Sequence, residues 1–468
     1  MLKYQQEIHD YIQNHKNFII NTLCELVKIP SVRAQAEEGA PYGIHCRNAI
    51  EYTYNLFKNE GFESEIDYEN GYTVSYFGNG EKSLGMFAHS DVVAPGEDWS
   101  FSDPFDLYEK EGFLIGRGAG DDKCAIVSAL YCLKMLREFE IPVNSRLVCF
   151  TGSCEETGMD DIKSYVKKHK APDFSIISDA SFPMFRGDKG TLRFSMKFDA
   201  AFDKIVDFGG GKSYNIVLGE AAAKLPFDNE IFESVKSIAS DSITVFRNGD
   251  EIHVEAKGVP THAAMPQYGV NAGLLLADAL CKCQKLPKKD IEILAKIRKL
   301  LSQTDGSAFG IESCDDDFGA LTCGNGIIRL DNGKPELTFD VRFGRVITVD
   351  EMKKRIENAC KAMGASVVFI SDSPWYLTDK NHPLLVKCLD VYKEFTGNTD
   401  AKAGIDPGGT YGKYLPCAVE IGTQTRKQRP FDLPKGHGSI HQSDECISIE
   451  GMLEAMEIMA LMVIECCE

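Results

Sequence analysis

Three short acidic stretches carry the residue types that could do chemistry: His89-Ser90-Asp91, Asp121-Asp122-Lys123 and Glu155-Glu156, each beside an apolar run. Imidazole nitrogens and carboxylate oxygens, with no thiolate among them, suit a zinc-like divalent ion or manganese rather than an iron–sulfur or thiolate centre. Each stretch alone says little. Asp at a helix start is usually a cap, a Glu pair after a strand is usually solvated, and a His-x-Asp pair is common. In a strand that has just ended, however, Asp91 can hydrogen-bond the second ring nitrogen of His89 and fix its tautomer.

The elements that position these residues change the odds. Residues 73–77, 84–88, 146–151 (RLVCFT) and 174–178 (FSIIS) read as short strands, and residues 125–136 (AIVSALYCLKML) as a strong helix opened by Asp121-Asp122. Ile8, Ile12, Phe18, Ile19, Leu23 and Leu26 have the spacing of a first helix. Alternation of this kind means an α/β fold. Open α/β sheets place their ligands at the carboxyl ends of the strands, where His89, Glu155, Glu156 and Asp179 all stand. Independent surface acids would rarely reproduce that order.

After about residue 185 the texture changes. Strands are expected at 192–198, 242–257 (with Arg247-Asn248-Gly249-Asp250 as a hairpin turn), 336–341 and 365–370, and helices at 271–283, 290–302 and 349–363. A sheet covered on one side by helices fits. From about Leu377 the α/β pattern returns, with a helix at 383–395, a strand at 418–421 and a helix at 449–464. The expected organisation is therefore residues 1–184 and 377–468 in one domain, with 185–376 inserted.

Bulk properties exclude other classes. A chain of 468 residues exceeds one core and has material for two. A net charge of -19 argues against a nucleic-acid partner. Sixteen scattered cysteines without a CxxC suggest reduced, buried thiols. The first residues lack a basic stretch followed by an apolar one, and no long uncharged apolar run occurs, so a soluble cytoplasmic protein without membrane contact is expected. Gly209-Gly210-Gly211-Lys212-Ser213 is not a phosphate loop, because the first glycine of that motif would fall at Val206. His437 and His441 have ligand spacing, but Gly438 and Ser439 between them argue against a helix, and only His441 is retained.

The ordered segments HSDVVAPGEDW, GRGAGDDK, TGSCEETG, ISDASFP, GVPTHAAMPQYGVNA, GGTYGK and HQSDE resemble the dinuclear zinc exopeptidases and amidohydrolases, the group of aminoacylase, carnosinase and succinyl-diaminopimelate desuccinylase. The chain is most similar to the PepV-like bacterial dipeptidases, over nearly its whole length. The resemblance implies a mixed-sheet zinc-exopeptidase catalytic domain with an inserted α+β lid. It implies two divalent ions, zinc first, with manganese or cobalt accommodated by the same ligands. His89 and Asp179 would hold one ion, Glu156 and His441 the other, and Asp121 would bridge them, with Asp91 orienting His89. Glu155 would act as general base, and the peptide after Asp121 is a candidate for the cis form. The glycine that commonly follows the lysine is Cys124 here, which puts the packing of that turn in question. Two divalent cations against three carboxylates leave one positive charge, which a hydroxide neutralises, so Glu155 is free to move protons.

In the inserted segment the resemblance makes His262 the donor to the oxyanion, Arg342 the clamp for a terminal carboxylate and Asn215 a further substrate contact, with Gly408, Gly409 and Thr410 offering backbone donors. By pattern alone His262 is more often structural, and Arg342 is as readily half of a salt bridge. The expected activity is metal-dependent hydrolysis of dipeptides or short peptides by a monomer. The alternatives are an N-acyl amino acid deacylase or a carboxypeptidase, and more remotely a non-catalytic metal- or peptide-binding protein.

Overall fold

The apolar runs that precede His89, Glu155 and Asp179 become adjacent parallel strands. In the computed structural model, which describes residues 2–467, Lys82–His89 lies between Ser145–Gly152 and Phe174–Ala180 and parallel to both. Ala418–Gly422 extends the parallel set beyond Phe174–Ala180. Antiparallel strands flank this centre, Glu63–Asp67 and Tyr72–Phe77 on one side, Phe185–Asp188 and Tyr376–Leu377 on the other. Gly404–Asp406 runs parallel to Phe185–Asp188, and the sheet has nine strands.

Both faces of the sheet are covered, which is why its central strands read as continuous apolar runs rather than alternating ones. Met86, Ala88, Leu147, Cys149 and Ile176 join a core with the helices Gln5–Val27, Lys123–Glu138 and Ile449–Cys467. The intervening residues Phe87, Val148, Phe150 and Ile177 point the other way, as the two-residue period of a strand requires. They pack with Tyr72, Tyr165 and Tyr411, where Tyr165 comes from the helix Asp160–Lys168.

The chain divides into two units, one running to Asp188 and resuming at Tyr376, the other Lys189–Trp375. Because Phe185–Asp188 pairs within the large sheet, the chain leaves the first unit after Asp188 and not after residue 184, and it re-enters at Tyr376 and not at 377.

The second unit holds two four-stranded antiparallel sheets where a single sheet is expected from the sequence. One orders Thr322–Asp331, Lys334–Phe343, Gly190–Phe198 and Ala365–Ser373; the other orders Asp207–Gly209, Glu220–Pro226, Glu251–Lys257 and Ile243–Asn248. A bridge between Gly210 and Ile328 joins their edges, and a Cβ on Gly209 would lie 2.3 Å from the Ile328 carbonyl oxygen. The glycine run is thus a close backbone approach, not a phosphate loop. The hairpin turn forms where expected, with Gly249 at φ +59°. Asn271 and Thr348 cap the helices Ala272–Cys281 and Val349–Met363 with their side chains, contributions of about 1 kcal/mol each. All sixteen cysteines are free thiols, and no helix among the described residues is long and apolar enough to cross a membrane.

Candidate metal centre

The sheet delivers its chemistry where parallel strands end. His89 closes Lys82–His89, Asp179 is the penultimate residue of Phe174–Ala180, and Glu155-Glu156 stands in the turn after Ser145–Gly152. Asp121 comes from the loop before Lys123–Glu138, and His441 from the segment before the strand Cys446–Ser448. These residues form two clusters that share one aspartate. His89, Asp121 and Asp179 make the first, Asp121, Glu156 and His441 the second, the ligand atoms of each lying within 4.8 Å of one another.

His89 Nε2 faces Asp121 Oδ1 at 3.0 Å and Asp179 Oδ2 at 3.7 Å. His441 Nε2 lies 2.9 Å from Asp121 Oδ2 and 3.1 Å from Glu156 Oε1. The two oxygens of Asp121 therefore point to different imidazoles. His89 Nδ1 is 2.9 Å from the Asp91 main-chain carbonyl, which can only accept, so Nδ1 carries the proton and donates. In the neutral ring Nε2 then presents a lone pair toward two carboxylates, an arrangement that a divalent cation between them would satisfy. The donor set fits divalent metal ions on that ground.

Electrostatics agree. Against the upward push of burial, His441 and His89 hold the Asp121 carboxyl below the usual range. Burial and the Asp121 charge push Asp179 up to about 7. Burial and the Asp179 charge push Glu155 well above the usual range. Glu155 is buried, and its Oε1 has no hydrogen-bond partner among the described residues.

Asp91 meets His89 through two of its groups. Its carbonyl holds the shorter contact with His89 Nδ1, at 2.9 Å, and its carboxylate stands 3.5 Å from the same nitrogen. The carboxylate also accepts the amides of Glu155 at 3.1 Å and Glu156 at 3.2 Å. Asp122 holds the N-cap position but makes no side-chain capping bond: its Oδ2 accepts the His89 amide at 3.2 Å, and the peptide Asp121-Asp122 is cis. Cys124 fits its turn, buried in the helix with its thiol 3.6 Å from the Gly120 carbonyl. Lys123 is buried with its ammonium on the carbonyls of Leu26 and Ile29.

Sequence reasoning missed Glu445 and Arg117. Glu445 Oε1 accepts the amides of Gly118, Gly120 and Asp121 at 3.1, 3.0 and 3.3 Å, and Arg117 pairs with Oε2. Both sit inside quoted segments, HQSDE and GRGAGDDK, but nothing in their spacing shows that they meet. His437 pairs with Asp444 at 2.7 Å and is not among the ligands.

Of the backbone donors expected at Gly408–Thr410, the amides of Gly408 and Thr410 are taken by Asp406 and Asp188 at 2.7 and 2.8 Å. Gly409 leaves room for Lys413, whose ammonium would lie 2.2 Å from a Cβ there.

In the second unit Asn215 and His262 are neighbours, the Ala263 amide donating to the Asn215 carbonyl at 2.8 Å and Ile216 bridging His262. His262 Nδ1 accepts the Ala264 amide at 3.2 Å, so in the neutral ring Nε2 carries the proton, the form a hydrogen-bond donor needs. Arg342 is buried and forks onto Asp340, Nε to Oδ1 at 2.6 Å and Nη2 to Oδ2 at 3.2 Å. The salt-bridge alternative for Arg342 is thus realised.

Fold and site together define a metal-dependent hydrolase. The model of peptidase family M20/M25/M40 matches residues 85–465, and the chain belongs to that family: it is a metallopeptidase. A Staphylococcus aureus protein (strain bovine RF122 / ET3-1) whose name gives a dipeptidase as a provisional assignment is 28% identical, with 96% of each chain covered. Among solved structures, the Saccharomyces cerevisiae di-peptidase Dug1p matches with a TM-score of 0.60 at 13% identity, covering 100% of this chain and 99% of that one. Human carnosine dipeptidase 1 matches with a TM-score of 0.60 at 13% identity over 99% of both chains.

Proposed function

We propose that this metallopeptidase is a dipeptidase, cleaving the peptide bond of short peptides with zinc as its native metal. The observation that carries the reading is the sharing of Asp121 between two imidazole–carboxylate clusters beside the buried, unpartnered Glu155 oxygen. The dipeptidase names of the Staphylococcus aureus relatives support the substrate class.

His89 and Asp179 would hold one ion, Glu156 and His441 the other, and Asp121 both. When bound, such ions polarise the scissile carbonyl and lower the pKa of water from about 15.7 toward about 7. Glu155 accepts one proton from the attacking water as the carbon–oxygen bond forms, and returns it to the nitrogen as the carbon–nitrogen bond breaks. Its raised affinity for a proton suits both transfers. His262 donates Nε2–H to the carbonyl oxygen as charge develops there. Arg342 binds the terminal carboxylate while Asp340 holds its guanidinium in orientation, and Asn215 and Gly409 contact the substrate. The same reading has the enzyme acting as a cytoplasmic monomer, so light scattering should give the mass of one 51.8 kDa chain.

The test is hydrolysis of free dipeptides, N-acetylated amino acids and tripeptides by chelator-stripped protein, with zinc, manganese or cobalt added back. Metal-restored cleavage confined to dipeptides is expected. A preference for the acylated compounds would make the enzyme a deacylase, release of C-terminal residues from longer peptides would make it a carboxypeptidase, and silence across the panel would sink a hydrolytic role.

A further inference from the structure

We propose that Asp161 is a positioning residue for the Glu155-Glu156 turn, acting with Asp91 to clamp four successive backbone amides. The inference rests on the metal reading of the site. Ser153 and Cys154 each donate their amide to Asp161 Oδ2 at 2.8 Å. The next two amides, of Glu155 and Glu156, go to the two oxygens of Asp91. Every N–H from the end of the strand Ser145–Gly152 to the ligand Glu156 therefore ends on a buried carboxylate.

Asp161 is built into this role. Its Oδ2 also accepts the Tyr411 hydroxyl at 2.7 Å, and its Oδ1 accepts the Ile162 amide at 2.7 Å. It lies at 0% exposure. A Cβ on Gly152 would stand 2.2 Å from Asp161 Oδ2 and 2.0 Å from the Tyr411 hydroxyl, so the strand ends in glycine where this carboxylate needs the space. Burial and the Asp91 charge push Asp161 up to about 6, which leaves it an acceptor-only anion at neutral pH. Ser153 is pinned from the other side, its hydroxyl donating to the Gly71 carbonyl at 2.6 Å.

The neighbouring pair Glu155 and Glu156 has two tasks, one as proton carrier and one as ligand. Slack in the amides just before them displaces both side chains. Asp161 has no hydrogen bond to either glutamate, so it acts through the main chain.

Zinc titration calorimetry of chelator-stripped wild type and Asp161→Asn tests the inference, with amide hydrogen exchange of the wild type stripped and loaded. The variant is expected to bind one ion, that of Glu156 and His441, about 10–100-fold more weakly, and the other with unchanged affinity. Equal weakening of both steps, or no change in either, overturns the assignment. In the wild type, the Ser153 and Cys154 amides should stay protected after the metal is removed. Loss of their protection on stripping would mean that the ions, not Asp161, order the turn. The exchange arm uses the wild-type chain, so it decides even where the variant does not fold. A wild type that binds fewer than two ions sinks the dinuclear reading instead, and the exchange result still reads Asp161.

Discussion

Glu445 Oε1 accepts the Asp121 amide at 3.3 Å although 324 residues separate the two, so the shared aspartate is seated by a carboxylate from the far end of the chain. The other oxygen of Glu445 is paired with Arg117, and both side chains are buried. Glu445→Gln leaves the Arg117 guanidinium buried without its counter-charge. The expected cost is about 3–5 kcal/mol, read as a lowered urea midpoint at unchanged m in chelator-stripped protein. An unchanged midpoint would show that the pair carries little of the turn's stability.

Glu155→Gln removes the proton carrier and keeps its shape. Two bound ions per chain by elemental analysis, with turnover reduced about 100- to 10,000-fold, are expected. Full activity would rule out the proposed proton transfers.

His441→Ala deletes a ligand from one cluster only. Metal content should fall from two ions to one, while Asp121→Asn, which touches both clusters, should weaken both. A variant of His441 that still binds two ions with wild-type affinity would exclude it from the ligand set.

His262→Ala takes away a donor without touching the metal ligands. Metal content should stay constant while kcat falls about 100- to 1,000-fold. An effect confined to stability would leave His262 with the structural role that its sequence pattern favours.

Arg342→Ala breaks the fork with Asp340, although Asp340 keeps the Arg193 Nε–H at 2.9 Å. A loss of about 1.5–3 kcal/mol is expected, together with a KM increase for free-carboxylate dipeptides larger than for C-terminally amidated ones. Equal KM changes on both substrates would limit Arg342 to the salt bridge.

His89, Glu155, Glu156 and Asp179 stand out in the sequence because they follow strands, whereas Asp121 and His441 join them only through the resemblance. Apolar runs end at or within a few residues of His89, Glu155 and Asp179, and that discontinuity is a one-dimensional signal. What supports them was not legible. Glu445 and Asp161 accept main-chain amides, whose direction no side-chain pattern records, and Arg117 meets Glu445 only across the fold. Asp91 lies at the expected histidine, but spacing cannot distinguish its carbonyl, 2.9 Å from Nδ1, from its carboxylate at 3.5 Å. In the second unit, the strand Thr322–Asp331 escaped notice because Gly324 and Gly326 interrupt its alternation and a bulge falls between Asn325 and Ile327. Without it the two sheets read as one.

The helix Ile449–Cys467 is buried along nearly its whole length against Gln5–Val27 and Lys123–Glu138. On the ribosome, those earlier helices emerge long before their partner. Residues Lys189–Trp375 are contiguous and own their core, so they can close it during translation. The first unit must wait, its apolar helix faces uncovered, until Ile449–Cys467 has been made.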